Sequence, residues 1–503
     1  MTGLPVWICD RLALFAAPRK SLWSRAVRCG RIGPEVPMTD QIHDPIAAAF
    51  ALQAAGTVAR RTGFGLAERK AALIRLREVL GRRQPEIVAA LAADFGKPET
   101  ETLLTEILPV RQDIALALRR MRRWMRPRRV APTVATLGTS ARIRPEPRGV
   151  CLIVAPWNYP LNLALGPLVS CLAAGNSAII KPSEMTPATS ALIAAIVAEA
   201  FSPDLVTVIE GGVEVSQALL ALPFDHIFFT GSPEVGKVVM AAAARHLTSV
   251  TLELGGKSPT VIGPGADVAQ AAAWVAFGKF ANAGQTCIAP DHVYVHHDVR
   301  EAFLQALRAR IAKAYGDGAS PHLARVVNDR HAGRLRALLA DARDKGARIV
   351  LGGDGEGTRL APTLVEAVTP EMRLDQEEIF GPVLPVIAYD DLDAVIARIN
   401  ARPKPLALYV FDKDRGFADR IIGATSSGGV GVNLTLLHYS HHGLPFGGVN
   451  NSGIGAAHGE FGFRAFSHER AVLENRFSAL TMVFPPYTGR VRGLVRMALR
   501  LLG

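Results

Sequence analysis

Between residues 150 and 253 the chain alternates short apolar runs with helical ones, and that rhythm leaves few folds open. The runs 150–155, 178–181, 206–209, 227–229 and 250–253 read as strands, and 162–174, 188–201, 214–220 and 233–246 carry apolar residues at helical spacing between them. Alternation at this interval predicts an α/β fold with a parallel, doubly wound sheet, whose ligands bind at the carboxyl ends of the strands.

A second α/β series follows Gly255. Its expected strands lie near 260–262, 292–295, 348–351, 383–387, 407–411 and 429–432, and its helices near 268–281, 299–314, 330–345, 392–400 and 415–424. Ahead of the first series, 47–59, 66–80, 84–95 and 102–125 are helical in pattern. Residues 130–148 are polar and proline-containing, as in an arm or hairpin between domains. The 503 residues, 49% of them hydrophobic, suffice for a large core. At about 100–200 residues per domain they predict two or three domains.

The residues with chemical potential fall at strand ends. Pro156-Trp157-Asn158-Tyr159-Pro160 follows the first strand, where Asn158 offers an amide donor. Lys181-Pro182-Ser183-Glu184 ends the second. Gly231 to Gly236 follows the fourth and opens a helix, so its N–H groups can face a phosphate. Glu253 ends the fifth. Each of these alone reads equally as a turn. Cys287 sits in GKFANAGQTCIAP, after a helical run and among small residues. A thiol with a pKa of about 8.5 is a weak nucleophile at neutral pH without help from its site, and a lone intracellular cysteine is most often a core hydrophobe. The five cysteines (Cys9, Cys29, Cys151, Cys171, Cys287) show neither paired nor metal-ligand spacing, so the expectation is a reducing, cytoplasmic setting and no metal.

Taken together, PWNYP, KPSE, FTGSPEVGK, LELGGKSP, FANAGQTC, EEIFGP and LPFGGVNNSG, in this order over about residues 45 to 470, resemble the aldehyde dehydrogenase superfamily. The class 3 branch, with its shorter N-terminal part, is the nearer match. Within it ALGPLVSCLAAGN, VNDRH and NARPKPLALYVF look most like bacterial coniferyl aldehyde dehydrogenases. The resemblance implies a Rossmann-like cofactor domain, an α/β catalytic domain and a small β arm. By this reading 1–37 is a disordered extension, 38–126 and 149–253 form the NAD-binding domain, and 254–438 the catalytic domain. Segments 127–148 and 439–475 form a bridging and oligomerisation arm, and 476–503 a basic tail.

It also implies roles. Cys287 matches the nucleophile, Asn158 the oxyanion donor and Glu253 the general base. Trp157, Lys181, Ser183, Glu184, Gly231, Ser232, Gly236, Glu378 and Phe380 match cofactor contacts. Glu184, at the adenosine ribose, leans toward NAD, while the branch also admits NADP. The implied reaction is oxidation of an aromatic aldehyde such as coniferyl aldehyde, with fatty aldehydes as the alternative, by a homodimer. Three positions depart from the family pattern: Pro233 in the phosphate turn, Leu434 after VN, and Asn450 where a glycine is usual. Two other classes remain to be weighed. A cysteine hydrolase pairing Cys287 with His292 has no use for KPSE or the phosphate turn. A non-catalytic protein of the same fold would be expected to lack Cys287 or Glu253.

The formal charge of +12 permits acidic partners without requiring one. Residues 119–129 hold seven arginines with Trp124 and two methionines. Nucleic-acid binding and a solvated helix face ending at Pro127 both fit, and the second is preferred, so no nucleic-acid partner is expected. Residues 1–37 carry six basic and two acidic residues, and their apolar pieces are too short and interrupted for a clean signal peptide. At the other end Arg492, Arg496 and Arg500 line one helical face, with Leu494, Val495, Ala498, Leu499 and Leu502 on the other. Such a helix either lies at an anionic membrane surface or packs on protein, and is too short to span.

Overall fold

The computed structural model describes residues 40–316 and 320–502. The expected extension 1–37, with Cys9 and Cys29, lies outside them.

Three sheets organise the chain. A six-stranded sheet has the order Gly453–Ile454, Ser249–Leu254, His226–Gly231, Val150–Val154, Ser177–Lys181, Val206–Val208. Its last five strands are parallel, as the alternation predicts, because each returns through a helix. Register sets Val154 beside Lys181 and Phe229, and Thr230 beside Glu253. The loops carrying Asn158, Ser183, Ser232 and Glu253 therefore leave one edge of the sheet. Gly453–Ile454 adds antiparallel at Ser249–Leu254, with Gly453 opposite Glu253. That strand is only two residues long, and periodicity does not register so short an element.

A seven-stranded sheet has the order Arg348–Leu351, Thr363–Glu366, Val383–Tyr389, His292–His296, Pro259–Ile262, Ala407–Phe411, Gly429–Val432, parallel except at Arg348–Leu351. All six expected strands are present. The seventh, Thr363–Glu366, was missed because its four residues TLVE present no apolar run. The third sheet is an antiparallel ribbon of Arg128–Val130, Thr139–Pro147 and Ser467–Asn475. The strands Thr139–Pro147 and Ser467–Asn475 are far apart in sequence; the residue pattern suggests an arm only at the first, and the family resemblance supplies the second.

The N-terminal helices follow the expected pattern with two breaks. Gly56 separates Asp40–Ala55 from Thr57–Gly63. The run expected as one helix over 102–125 begins as a short α segment, Glu99–Thr102, passes through a π turn at Leu103–Ile107, and continues as Leu108–Trp124. Glu106, inside the π turn, is fully buried against Lys97 at 2.7 Å. Widened turns of this kind recur beside functional sites. In the arginine run Met121 is fully buried, while Arg119, Arg120, Arg122 and Arg123 face outward or partly so, as in a helix face turned to solvent. No helix among the described residues is long and apolar enough to cross a membrane.

Candidate active site

Helix Val268–Phe280 starts on Asp267, whose carboxylate accepts the Gln270 N–H at 3.1 Å, and delivers the chain to Asn282, Ala283 and Gly284. All three are left-handed, at φ 53°, 53° and 71°. Ala283 in that region costs about 1–2 kcal/mol, so the turn persists only because its surroundings over-determine it. Asn282 Nδ2 donates to the Asn158 carbonyl at 2.9 Å, and its backbone N–H donates to Glu101 Oε2 at 2.8 Å. Gln285 is fully buried: Nε2 donates to the carbonyls of Asn282 and Arg325, both at 3.0 Å, and Oε1 accepts the Val327 N–H at 2.9 Å. A Cβ on Gly284 would lie 2.3 Å from the Gly381 carbonyl oxygen, so only glycine fits there. The turn ends at Cys287.

Cys287 opens onto a cavity of about 860 Å3. Asn158, Glu253, Trp157, Gly231, Ser232, Glu378 and Phe380 also line it, so residues spread over more than 220 positions converge as the motifs suggested. Lys181, Ser183, Glu184 and Gly236 do not line it. Gly236 instead closes the helix onto the sheet, since a Cβ there would sit 2.8 Å from Leu254 Cδ2. Lys181 is buried at its strand end and donates to Glu184 Oε2 at 2.7 Å. Burial raises the Glu184 carboxyl, but the Lys181 ammonium outweighs this and holds it below the ordinary range.

Each reactive side chain has a distinct environment. Asn158 is buried, and one N–H of its amide donates to the Gln285 carbonyl at 3.0 Å. That bond fixes the amide plane and leaves a second donor hydrogen. Burial pushes the Cys287 thiol up to about 12, and the Glu378 and Glu253 carboxyls add to this, while the backbone N–H groups of Cys287 and Ile288 oppose it. Glu253 is buried with neither carboxyl oxygen hydrogen-bonded, so its pKa lies well above the usual carboxylate value through desolvation alone. An unpartnered buried carboxyl is costly and marks a site that uses it. Glu378 is raised to about 7, mainly by burial, although the Gly256 N–H donates to it. A Cβ on Gly255 would lie 2.5 Å from Glu378 Oε2, which makes a close cradle.

A dinucleotide suits the other end of the cavity. Ser232 caps helix Pro233–Ala244 by accepting the Val235 N–H, and the helix N-terminus lies at the cavity wall. Pro233 occupies the first helical position, where its missing N–H breaks no helical bond. Asn450 takes φ 55°, a conformation asparagine tolerates in place of glycine. Trp157 and Phe380 meet edge to face at 5.4 Å on the same wall.

The sequence reading missed the support beneath these groups. Glu101, raised to about 7 chiefly by burial, holds the Asn282 N–H. Lys97 lies 4.0 Å from the Tyr159 ring centroid, and Glu106 accepts the Asn162 N–H at 2.9 Å. The Tyr159 hydroxyl is 2.6 Å from Thr286 Oγ1, next to the cysteine. The one signal was charge at otherwise apolar helix positions.

Residues 38–472 match the aldehyde dehydrogenase family model. The chain is 45% identical over 424 residues to a probable coniferyl aldehyde dehydrogenase of Pseudomonas aeruginosa, covering 84% of this chain and 89% of that one. It is 43% identical over 442 residues to the putative aldehyde dehydrogenase AldX of Bacillus subtilis, covering 87% and 99%. The solved substrate-bound AldH of Staphylococcus aureus superposes with a TM-score of 0.85 at 39% identity, over 90% of this chain and 99% of that one. With a thiol, an amide donor and an unpaired carboxyl gathered at one cavity, and with these matches over most of its length, the chain belongs to the aldehyde dehydrogenase family, in its class 3-like branch, and is an NAD(P)-dependent aldehyde dehydrogenase.

Proposed function

We propose that Cys287, Asn158 and Glu253 carry the reaction and that its preferred substrate is an aromatic, cinnamaldehyde-type aldehyde such as coniferyl aldehyde. The observation that carries the catalytic assignment is the unpartnered Glu253 carboxyl in the same cavity as Cys287. Cys287 gives up its thiol proton to water in the cavity, the thiolate sulfur adds to the aldehyde carbon, the S–C bond forms, and the carbonyl oxygen becomes an oxyanion. The free N–H of Asn158 Nδ2 and the Cys287 N–H bind that oxygen, each such donor contributing about 3–4 kcal/mol. A nicotinamide held by Trp157, Glu378 and Phe380 would supply the hydride acceptor that takes the thiohemiacetal on Cys287 to a thioester. In its ionised form Glu253 then takes a proton from water, the hydroxide attacks the thioester carbon, the S–C bond breaks with Cys287 leaving as the thiolate, and the acid departs.

Lys181, Ser183, Glu184, Gly231, Ser232 and Gly236 would hold the adenosine and pyrophosphate end, and Trp157, Glu378 and Phe380 the nicotinamide ribose end. The ionised Glu184 accepts ribose hydroxyls and repels a 2′-phosphate, which favours NAD over NADP.

The substrate class is supported by relatives named as probable coniferyl aldehyde dehydrogenases, at 45% and 43% identity. Trp157 and Phe380 supply aromatic surface to the cavity that holds Cys287. A panel of kcat/KM values across coniferyl, benzyl, short and fatty aldehydes tests this. Coniferyl aldehyde is expected at the top. A clear preference for acetaldehyde would overturn the substrate, and a fatty aldehyde at the top would move the assignment to the long-chain reading.

The enzyme is further proposed to be a cytoplasmic homodimer joined through the three-stranded arm, where Leu473 and Val130 are exposed. Its tail gives a second contact. Helix Gly489–Leu502 packs on the short helix Ala479–Val483 and leaves Val495, Met497 and Leu499 exposed. Phe477, Met482, Phe484 and Tyr487 are also exposed ahead of it. This basic, apolar-faced segment suits reversible contact with an anionic membrane, at about 1 kcal/mol per arginine. The full chain is expected to float with anionic liposomes at low salt and to release at high salt. Equal flotation by a protein lacking residues 489–503 would remove the tail from that role.

A further inference from the structure

Three side chains outside the Cys287 cavity meet from distant parts of the chain. Asp113 comes from helix Leu108–Trp124, His442 from the loop after strand Gly429–Val432, and His458 from the position before helix Gly459–Ala465. Asp113 and His458 are more than nine-tenths buried, and His442 reaches the rim. One ring nitrogen from each histidine and a carboxylate oxygen lie within 4.8 Å of one another. His442 Nδ1 is 2.9 Å from Asp113 Oδ1, and His458 Nδ1 is 3.7 Å from Asp113 Oδ2. Yet Asp113 Oδ1 and both Nδ1 atoms have no hydrogen-bond partner. The atoms are close, but the rings are not turned to give an aligned N–H to the carboxylate. Donor atoms that crowd a common point without bonding one another are arranged as a cation's ligands are.

The surroundings support the same assignment. His442 Nε2 lies 3.2 Å from Gln112 Oε1, an oxygen that can only accept. That oxygen can accept a proton carried on Nε2, and in the Nε2–H tautomer Nδ1 presents a lone pair to Asp113 Oδ1. In that tautomer the two lone pairs face each other at 2.9 Å, and a bound cation satisfies both. An outer acceptor that fixes a histidine tautomer is a regular feature of metal sites. His458 holds φ 69° and ψ 140°, a conformation rare for a residue with a side chain, and the Tyr439 and Phe446 rings pack on it at 4.6 and 5.5 Å.

We propose that Asp113, His442 and His458 form a binding site for one divalent cation of the zinc class. Two imidazoles and one carboxylate suit a borderline cation, whereas magnesium and calcium select all-oxygen sets. None of the three residues lines the Cys287 cavity, so the site is separate from the catalytic one. Its cation ties helix Leu108–Trp124 to the loop bearing Tyr439, whose hydroxyl accepts from Asn162 Nδ2 at 2.8 Å. The clamp thus holds the wall beside the catalytic turn.

The test uses the full-length protein, stripped with a chelator and titrated with Co2+ while visible absorption is recorded. One equivalent is expected to bind with a d–d band, and Zn2+ is expected to displace it and raise the melting temperature. Asp113→Asn and His458→Gln are expected to weaken binding by more than about 100-fold, and the exposed-site change Gln112→Leu by about 10–100-fold. Cys287→Ala is expected to leave the band unchanged. Absence of a stoichiometric band in the wild type overturns the proposal, as does a band that survives in the Asp113→Asn, His458→Gln double variant or vanishes in Cys287→Ala. Should the ligand variants fail to fold, wild-type stoichiometry with Gln112→Leu and Cys287→Ala decides the matter.

Discussion

Cys287→Ala is expected to lower aldehyde oxidation by about 10⁴-fold or more, while Cys151→Ser and Cys171→Ser retain activity. Cys151 and Cys171 are fully buried, one in a strand and one in a helix, and neither lines the Cys287 cavity. Cys287 alone among the described cysteines reaches the cavity. Alkylation with iodoacetamide followed by peptide mapping checks the assignment, and full activity with Cys287 alkylated would end it. The pH dependence has a defined sign. Because burial and the Glu378 and Glu253 carboxyls raise the thiol, the apo enzyme is expected to alkylate slowly at neutral pH and faster as pH rises. Glu378→Gln removes one of those carboxyls, so the alkylation profile should move to lower pH. A shift to higher pH would show that Glu378 does not act on the sulfur in this way. Asn158→Ala should cost about 10²–10³-fold in kcat, as loss of one oxyanion donor does.

Glu253→Gln is expected to form the thioester and then stall. The signature is a pre-steady-state burst of NADH near one per active site, followed by turnover slowed by about 10²–10⁴-fold, the range for a lost general base. A variant whose sole defect is a raised KM for NAD would make Glu253 a cofactor ligand instead. Stability should move the opposite way to activity. The folded-state pKa of Glu253 is raised, so on going up in pH the unfolded chain loses its proton first. Above the unfolded value of about 4.3 the native state is therefore progressively disfavoured until its own carboxyl ionises. Glutamine removes that penalty. Glu253→Gln should melt higher than wild type at pH 7 and close to it at pH 4, and equal melting at both values would show that the carboxyl is not held unpaired as the geometry has it.

The sequence by itself determined the two α/β series, the family and several of the residues that line the cavity, because strand–helix alternation and turn residues are local properties. Asn158, Glu253 and Cys287 were legible as side chains at strand ends and in a glycine-bearing turn. Two kinds of feature were not. Short strands such as Thr363–Glu366 and Gly453–Ile454 exist because neighbouring strands offer them unpaired backbone groups, and four or two residues carry no period of their own. The settings of the titratable groups were also invisible. Lys97, Glu101 and Glu106 read as ordinary charges at and between helices, and only folding places them under the turn that carries Cys287. In the same way, Asp113 and His458 stand 345 positions apart and become neighbours only in three dimensions. Sequence fixes which residues can donate, accept or attack; the tertiary structure decides which of them lose water and face one another, and from that come the raised Glu253 and Cys287.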